Sequence, residues 1–313
     1  MRLIIWDCCT CEVVNVYEFM RLSEVFQSAE EIPFDDSSKI ILMSDCHRGD
    51  GSWADNFSKN ENIYYAALTH YYRNNYTYIE LGDGDELWEN NDICEIISQH
   101  RDVFSLLTKF IEDGRAYFVY GNHDIEKKKY ASRTAKRRYY RHFEDGDIRN
   151  INSFYKIKVH EGLILRHRVT GDKIFLVHGH QADFSNDRLW MIGRFLVRHF
   201  WRPIELLGFR DPTSASKNLG KKASVVNKIV DWVKSNNQMI IAGHTHRPAF
   251  PAVGQPPYFN DGCCVNPYGI TGIEIADGKI VLVKWSLKTK DDGTLYVGRD
   301  EMEKPVKLKE YFK

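Results

Sequence analysis

Five short segments rich in Asp, His and Asn, each directly after an apolar run, constrain this chain of 313 residues more than any other feature. The first example is Ile40-Ile41-Leu42-Met43 followed by Ser44-Asp45-Cys46-His47. A continuous apolar run of this length is typical of a strand buried on both faces. Because ligands of open α/β sheets gather at the carboxyl ends of strands, the pattern predicts an α/β protein with a polar site at one sheet edge.

The first two segments supply carboxylates and one imidazole. Asp45 and His47 are separated by one residue, so on extended backbone both project to the same side and can reach one cation. Cys46 between them is expected to point to the core. Gly82 allows a tight turn that places Asp83 at a strand tip, where its carboxylate can bridge two metal ions. Each segment is weak when read alone, because an acidic turn can also serve as a helix N-cap.

The third segment, Asn122-His123-Asp124, follows the strand-like run 116–120. An Asn in this position suggests that its carbonyl oxygen coordinates a cation or contacts the substrate. His123 is suited to proton transfer or to stabilising charge, and Asp124 is expected to fix the tautomer of its ring. The sequence therefore predicts His123 and Asp124 as the catalytic residues.

The last two segments each contain two histidines separated by one residue. His178 lies nearest the end of the preceding apolar run and is the expected ligand, with His180 as the alternative. Two histidines at a strand tip, His244 and His246, both need polar partners, which indicates a metal site better than core packing. The seven expected metal ligands are Asp45, His47, Asp83, Asn122, His178, His244 and His246.

This ligand set predicts two divalent ions that share one carboxylate. Mixed nitrogen and oxygen ligands without thiolate favour manganese, iron, zinc or cobalt over magnesium or calcium alone. Manganese is the expected metal.

The organisation of the chain follows from the spacing of its apolar runs. Residues 1–37 are predicted as an N-terminal extension with strand-like pieces at 3–6 and 13–17, and 38–313 as the main domain. Helices are expected at 60–73 and 92–113, alternating with strands, which favours parallel βαβ units. A helical insertion is predicted at about 187–235, interrupted at Pro203 and Pro212. After it, strands from Tyr258 onwards are expected to be antiparallel, with a hairpin turn at 276–278.

Composition excludes some partners. The 43 basic and 43 acidic residues cancel, so no nucleic-acid partner is expected. The sequence contains no apolar run of 18 residues, which argues against a transmembrane segment but leaves peripheral membrane contact open. The seven cysteines do not resemble a disulfide framework, and a reducing cytoplasm is the expected location. The oligomeric state is not indicated.

In order, the five segments match the pattern Asp-x-His, Gly-Asp, Gly-Asn-His-Asp/Glu, a lone His and Gly-His-x-His. The chain thereby resembles the calcineurin-like metallophosphoesterase superfamily. This resemblance implies a four-layer fold, with two mixed β-sheets flanked by helices and the metals at the sheet edge. It also implies the following ligand sets: Asp45, His47, Asp83 and His246 for one ion, and Asp83, Asn122, His178 and His244 for the other.

Within the superfamily, the chain is most similar to the branch of bacterial UDP-2,3-diacylglucosamine pyrophosphohydrolases, through residues 243–249, through Leu87-Trp88 and through the helical insertion. The expected function is hydrolysis of a phosphodiester, phosphomonoester or nucleotide-sugar pyrophosphate by attack of a metal-bound hydroxide. The alternatives are a Ser/Thr protein phosphatase or nuclease on the same scaffold, and a non-catalytic scaffold for protein partners.

Substrate contacts are expected outside the ligand set. Arg48, Arg247, Asn122 and His180 are the predicted contacts for phosphate, although each arginine is equally compatible with a surface salt bridge. The apolar insertion is either a lid over acyl chains of a lipid-linked substrate or a pair of helices packed on the core.

Overall fold

The computed structural model describes residues 6–129, 157–202 and 219–312. Within these ranges, thirteen strands form two mixed sheets. The first sheet has the order β1 (Glu30–Phe34), β6 (Gly162–His167), β7 (Lys173–Val177), β8 (Met239–Ala242), β9 (Tyr258–Asn260). The second has the order β12 (Leu295–Glu301), β11 (Lys279–Thr289), β10 (Ile270–Ala276), β2 (Ile40–Met43), β3 (Thr77–Leu81), β4 (Ala116–Val119), β5 (Val159–His160), with β13 (Val306–Lys307) beside β11.

Helices cover the outer faces of both sheets. In chain order they are α1 (Trp6–Ser28), α2 (Glu61–Arg73), α3 (Ile93–Gln99), α4 (Arg101–Glu112), α5 (Phe184–Asp187), α6 (Trp190–Leu196) and α7 (Leu219–Asn236), with a π-helical turn at Val197–Trp201. Apolar residues of α4 recur at helical spacing, at Val103, Leu107 and Phe110, so one side of this helix is buried.

Three apolar cores hold four layers together. The first lies between α2–α4 and the second sheet, the second between the two sheets, and the third between the first sheet and helices α1 and α7. Full burial of a large apolar side chain contributes about 1.5–3 kcal/mol, which fixes the helices on the sheets. Representative residues are Phe104 and Ile41 in the first core, Ile79 and Ile174 in the second, and Phe175 and Trp232 in the third. The predicted four-layer α/β fold is confirmed.

Parallel pairing brings the polar segments to one edge. Strands β2, β3 and β4 pair in parallel, as do β7 and β8, so their carboxyl ends point the same way in each sheet. All four residues of β2 and of β8 are buried, as expected for strands covered on both faces.

The N-terminal region differs from the prediction. The prediction of a strand-like piece at 13–17 is wrong, because these residues lie within α1. Farther along this helix, Leu22 and Val25 pack against the first sheet, and such tertiary packing overrides a short alternating pattern. The piece at 3–6 lies mostly outside the described residues. Strand β1 pairs in parallel with β6 and forms the edge of the first sheet. The division of domains at residue 38 stays a prediction.

Two further differences concern one helix and the direction of one strand. The predicted helix 92–113 is two helices, α3 and α4, with His100 between them. Strand β9 is parallel to β8, so the expectation of antiparallel pairing from Tyr258 is wrong there. The hairpin of β10 and β11 is confirmed. Both prolines of the insertion, Pro203 and Pro212, lie outside the described residues.

Candidate metal centre

The five polar segments meet at the carboxyl ends of β2, β3, β4, β7 and β8. Backbone hydrogen bonds join them directly: Asp45 N–H donates to Gly82 O at 3.0 Å and His47 N–H to Asp83 O at 2.9 Å. Gly243 N–H donates to His178 O at 2.9 Å, which joins the fourth segment to the fifth. The convergence expected from the strand pattern is therefore present.

The backbone at this edge is strained. Several of the convergent residues adopt the left-handed region, which costs a residue other than glycine about 1–3 kcal/mol. Strain of this kind persists where the surrounding structure holds a side chain in a required direction. The φ values are 51° for Asp45, 46° for His47, 50° for Asp83, 66° for His244 and 54° for His246.

One donor cluster contains Asp45, His47 and His246. His246 Nε2 lies 3.0 Å from Asp45 Oδ1 and 3.3 Å from His47 Nε2, so three potential ligand atoms face one point. Asp45 Oδ1 is buried and, within the described chain, accepts no hydrogen bond with acceptable geometry despite this short distance. Its other oxygen, Oδ2, accepts hydrogen bonds from Ser44 Oγ and from His244 N–H. This arrangement fits a cation held between the three side chains.

A second donor cluster contains Asp83, His178 and His244. His178 Nδ1 donates to Leu81 O at 2.7 Å, which directs Nε2 toward Asp83 Oδ2 at 3.1 Å. Burial alone would lower the pKa of His178, but the carboxylates of Asp83 and Asp45 raise it to about 9. The surroundings of this nitrogen therefore favour positive charge. Asn122 Oδ1 and His178 Nε2 are buried and have no hydrogen-bond partner among the described residues, as expected of ligand atoms.

Asp83 connects the two clusters. Its Oδ2 lies 3.1 Å from His178 Nε2 and 3.9 Å from His47 Nε2, while Oδ1 accepts from His123 N–H at 2.8 Å. Burial would raise the pKa of this carboxyl, yet His178 and His123 lower it well below its usual range. Gly121 makes room for this carboxylate, because a Cβ there would lie 2.1 Å from Asp83 Oδ1.

Glu86 is a functional candidate that the sequence analysis missed. Its Oε2 accepts from His47 Nδ1 and its Oε1 from His123 Nδ1, both at 2.7 Å. Trp88 stacks on the ring of His123 with centroids 4.1 Å apart, and its Nε1 donates to Asn122 O at 2.6 Å. The signal was its position three residues after Asp83, in a segment from which only Asp83 was selected as a site residue.

The predicted role of Asp124 in orienting His123 is wrong, because Glu86 is the partner of that ring. Asp124 instead accepts backbone N–H groups of Gly121 at 2.7 Å and Gly84 at 3.0 Å. Its Oδ2 also lies 2.6 Å from Lys127 Nζ. Asp124 therefore fixes the loop that presents Asp83.

The expected phosphate contact of Arg48 is also wrong. The guanidinium is fully buried, with Nε 2.6 Å from Asp85 Oδ1 and both terminal nitrogens within 3.0 Å of Glu80 oxygens. Each of its three nitrogens donates to one of these two carboxylates, and the fully buried group does not face the solvent from which a substrate would enter. A buried arginine without such partners would cost several kcal/mol, which explains why two carboxylates accompany it.

The other expected substrate contacts have different environments. Arg247 is exposed, and its contact with phosphate stays a prediction. His180 is fully buried, which argues against a direct contact with substrate. Two residues were not expected from the sequence. Asp183 lies close to the site, with Oδ2 3.7 Å from His244 Nε2. Lys222 is a buried lysine. Burial, followed by the charge of Arg247, lowers the pKa of Lys222.

The fold and the two donor clusters define a metal-binding α/β protein of the phosphoesterase class. A family model described as calcineurin-like phosphoesterase matches residues 38–248, more than half of the chain. The protein belongs to the calcineurin-like phosphoesterase family, which depends on two metal ions. The predicted family is thereby confirmed; the pyrophosphohydrolase branch stays a prediction. No curated protein matches the chain.

Solved structures with similar folds include Vps29 in complex with zinc from Entamoeba histolytica. It is 14% identical, with 85% of this chain and 99% of that chain covered and a TM-score of 0.37. Vps29 of Chaetomium thermophilum is 9% identical, with 86% and 97% covered and a TM-score of 0.40. A putative 5'-nucleotidase from Staphylococcus aureus is 14% identical, with 83% and 52% covered and a TM-score of 0.32. Similarities at this level support no assignment of function.

None of the described helices is both long and apolar enough to span a membrane.

Proposed function

We propose that this protein hydrolyses a phosphate ester or phosphoanhydride with two divalent metal ions. The observation that carries the proposal is the pair of Asp/His clusters joined by Asp83, with buried ligand atoms that lack hydrogen-bond partners in the described structure. Manganese is the proposed metal, with iron, zinc or cobalt as alternatives. The proposed ligands are Asp45, His47, Asp83 and His246 for one ion, and Asp83, Asn122, His178 and His244 for the other.

The residues of the chain prepare the site for this chemistry. Two ions, when bound, lower the pKa of water and neutralise charge on the phosphoryl oxygens. His178 Nδ1 donates to Leu81 O, and His47 Nδ1 donates to Glu86. These hydrogen bonds leave Nε2 of each ring available as a ligand. The ligand directions are thus fixed before any ion binds.

We assign proton donation to His123. Its Nδ1 is held by Glu86, so Nε2 is the nitrogen left to protonate the leaving oxygen. The carboxylate of Glu86 holds the direction of the ring, and stacking on Trp88 fixes its plane. The side chain of His123 is 22% exposed, more than the proposed ligands His246 at 15% and His47 at 11%, which suits a group that must reach a substrate.

We further propose that the substrate carries an apolar part that contacts the insertion. Side chains of α6 and the π-helical turn that follows it are exposed, which argues against the alternative of core packing. Gly193 of α6 lies against Trp88, since a Cβ there would be 3.0 Å from the indole ring. Helix α6 therefore packs beside the ring that stacks on His123. The exposed apolar residues of α6 and the turn are Met191, Ile192, Phe195, Leu196 and Phe200.

The main proposal is tested by metal-dependent turnover. Protein stripped with a chelator is assayed with added Mn²⁺ on an aryl phosphate, an aryl phosphodiester and a UDP-sugar. We expect no turnover without metal, recovery with Mn²⁺, and a loss of about 100-fold or more in Asp83→Asn. The matched control is Asp102→Asn, an exposed position on α4. Equal turnover of the stripped protein or of Asp83→Asn would contradict the proposal.

The contact with an apolar substrate part is tested separately. We expect Phe195→Ser to lower kcat/KM for an acylated UDP-sugar by about tenfold, because one apolar contact is worth about 1–3 kcal/mol. Turnover of the small aryl phosphate should not change. An equal effect on both substrates would show that the insertion does not recognise acyl chains.

A further inference from the structure

A third cluster of potential ligands shares no residue with the dinuclear site. Glu161 lies in the turn between β5 and β6, His180 follows β7, and Asp187 ends α5. One atom from each of these side chains lies within 4.8 Å of the other two. The cluster therefore joins the sheet edge to the first helical turn of the insertion.

His180 is the most unusual member of the cluster. Its side chain is fully buried, and neither ring nitrogen has a hydrogen-bond partner within the described ranges. A buried polar group without a partner costs about 1–3 kcal/mol, so an unpartnered imidazole in this position indicates that something else binds it.

The distance to the nearest carboxylate fits a shared cation better than a direct hydrogen bond. His180 Nε2 lies 3.9 Å from Asp187 Oδ1, which is too far for a hydrogen bond. Ligand bonds of about 2.0–2.2 Å allow two ligands of one ion to be up to about 4.2 Å apart. One ion between these two atoms is therefore geometrically possible without moving either residue.

Neighbouring side chains orient the two carboxylates and leave Asp187 Oδ1 for a ligand role. Tyr17 donates to Asp187 Oδ2 at 2.6 Å, and Arg21 Nε donates to the same oxygen at 3.2 Å. Arg21 also pairs with Glu161 Oε1. Asp187 Oδ1 remains directed at His180. Because the two carboxylates share the guanidinium of Arg21, a divalent cation between them can complete the neutralisation of their charge.

We propose that Glu161, His180 and Asp187 bind a third divalent cation, Zn²⁺ or Mn²⁺, with a structural role. A set of one imidazole and two carboxylates suits these metals. The ion anchors the beginning of the insertion to the end of β7, next to the dinuclear site. A water molecule in the same position is the competing occupant, because it could also bridge His180 and Asp187.

Metal counting distinguishes these occupants. The full-length protein is stripped, reloaded with Mn²⁺ or Zn²⁺, dialysed and analysed by mass spectrometry for metal per chain. We expect three equivalents in the wild type, two in His180→Ala and three in the matched control His199→Ala, an exposed histidine. His246→Ala should lose metal from the dinuclear site and keep the third ion. Two equivalents in the wild type, or three in His180→Ala, would overturn the proposal.

The count also separates this inference from the proposed function. A wild type that binds no metal contradicts both, whereas two equivalents contradict only the third site. If His180→Ala does not fold, an anomalous-scattering peak of zinc between the three side chains of the wild type decides the question. Electron density for water alone at that position would refute the third ion.

Discussion

At the residue scale, the site depends on which nitrogen of each histidine is free. A carbonyl oxygen accepts from His178 Nδ1, and one carboxylate, Glu86, accepts from Nδ1 of both His47 and His123. All three rings thereby present Nε2 to the site. The position of one proton on each ring thus decides whether a histidine can act as a ligand or as an acid.

Replacing Glu86 by Gln should disturb two histidines at once. A carboxamide has one acceptor oxygen, and its NH₂ group would donate to the second ring, which moves the proton of that ring to Nε2. We expect a loss of about tenfold or more in Mn²⁺ affinity and in turnover, measured by metal titration and steady-state kinetics. Glu95→Gln, exposed on α3, is the matched control. Unchanged affinity and turnover would show that Glu86 does not orient these rings.

The effect of removing His123 on turnover should depend on the leaving group of the substrate. His123→Ala is expected to lower turnover about 100-fold on a phosphate ester with a basic leaving group, because the leaving oxygen must be protonated. An activated aryl phosphate, whose leaving group departs as an anion, should be affected much less. The control is His70→Ala, an exposed position on α2. A uniform effect on both substrates would argue against an acid role.

At the element scale, the insertion is attached to the domain by polar contacts. Arg198 donates to the carbonyl oxygens of Leu87 at 2.7 Å and Trp88 at 3.0 Å, and Arg202 donates to Glu89 O at 2.8 Å. These bonds connect the π-helical turn to the loop that carries Trp88. The apolar side of the same turn remains exposed, so this element is held by its arginines and not by a core.

Removing Arg198 should therefore release the insertion without unfolding the protein. We expect Arg198→Ala to weaken local protection by about 1–3 kcal/mol, seen as faster amide hydrogen exchange and faster proteolysis at 190–201. Exchange in β2 and β8 should be unchanged. Arg188→Ala, an exposed arginine before α6, is the control. Faster exchange throughout the protein would mean that Arg198 supports the whole fold.

At the scale of the whole molecule, stability should depend on pH through a buried histidine outside the metal centre. His100 lies between α3 and α4, with its nitrogens 2.9 Å from Asp55 Oδ2 and 2.9 Å from Glu61 Oε1. Burial alone would lower the pKa of His100, but the hydrogen bond to Asp55 and the close carboxylate of Glu61 raise it above its ordinary value. Its contribution to stability is therefore complete below about pH 6.5 and is lost as the pH rises through the raised pKa.

Comparison with His100→Gln isolates this effect. The variant should be less stable by about 2 kcal/mol at pH 6, because charged hydrogen bonds are lost. The difference in the free energy of unfolding from wild type should shrink as the pH rises, measured by denaturant titration between pH 6 and 9. A difference that does not change with pH would mean that His100 is neutral in the folded protein.

The layered α/β fold and the group of strand-end residues that meet at the candidate site could be predicted from the sequence. Both follow from local patterns, because a buried strand reads as a continuous apolar run and parallel strands end at the same edge. The presence of Asp45, His47, Asp83, His178, His244 and His246 in two clusters could be predicted in this way.

The contacts that support these residues could not be predicted from the sequence, because they depend on the tertiary structure. Three findings depend on contacts between residues more than 30 positions apart: Glu86 orients His123, Asp124 holds a loop, and Arg48 turns inward. Residues of α1 are likewise helical because the helix packs on the first sheet. The short polar segments indicate which chemical groups the site contains. Burial and the positions of neighbouring groups determine the charge, tautomer and direction of each of them.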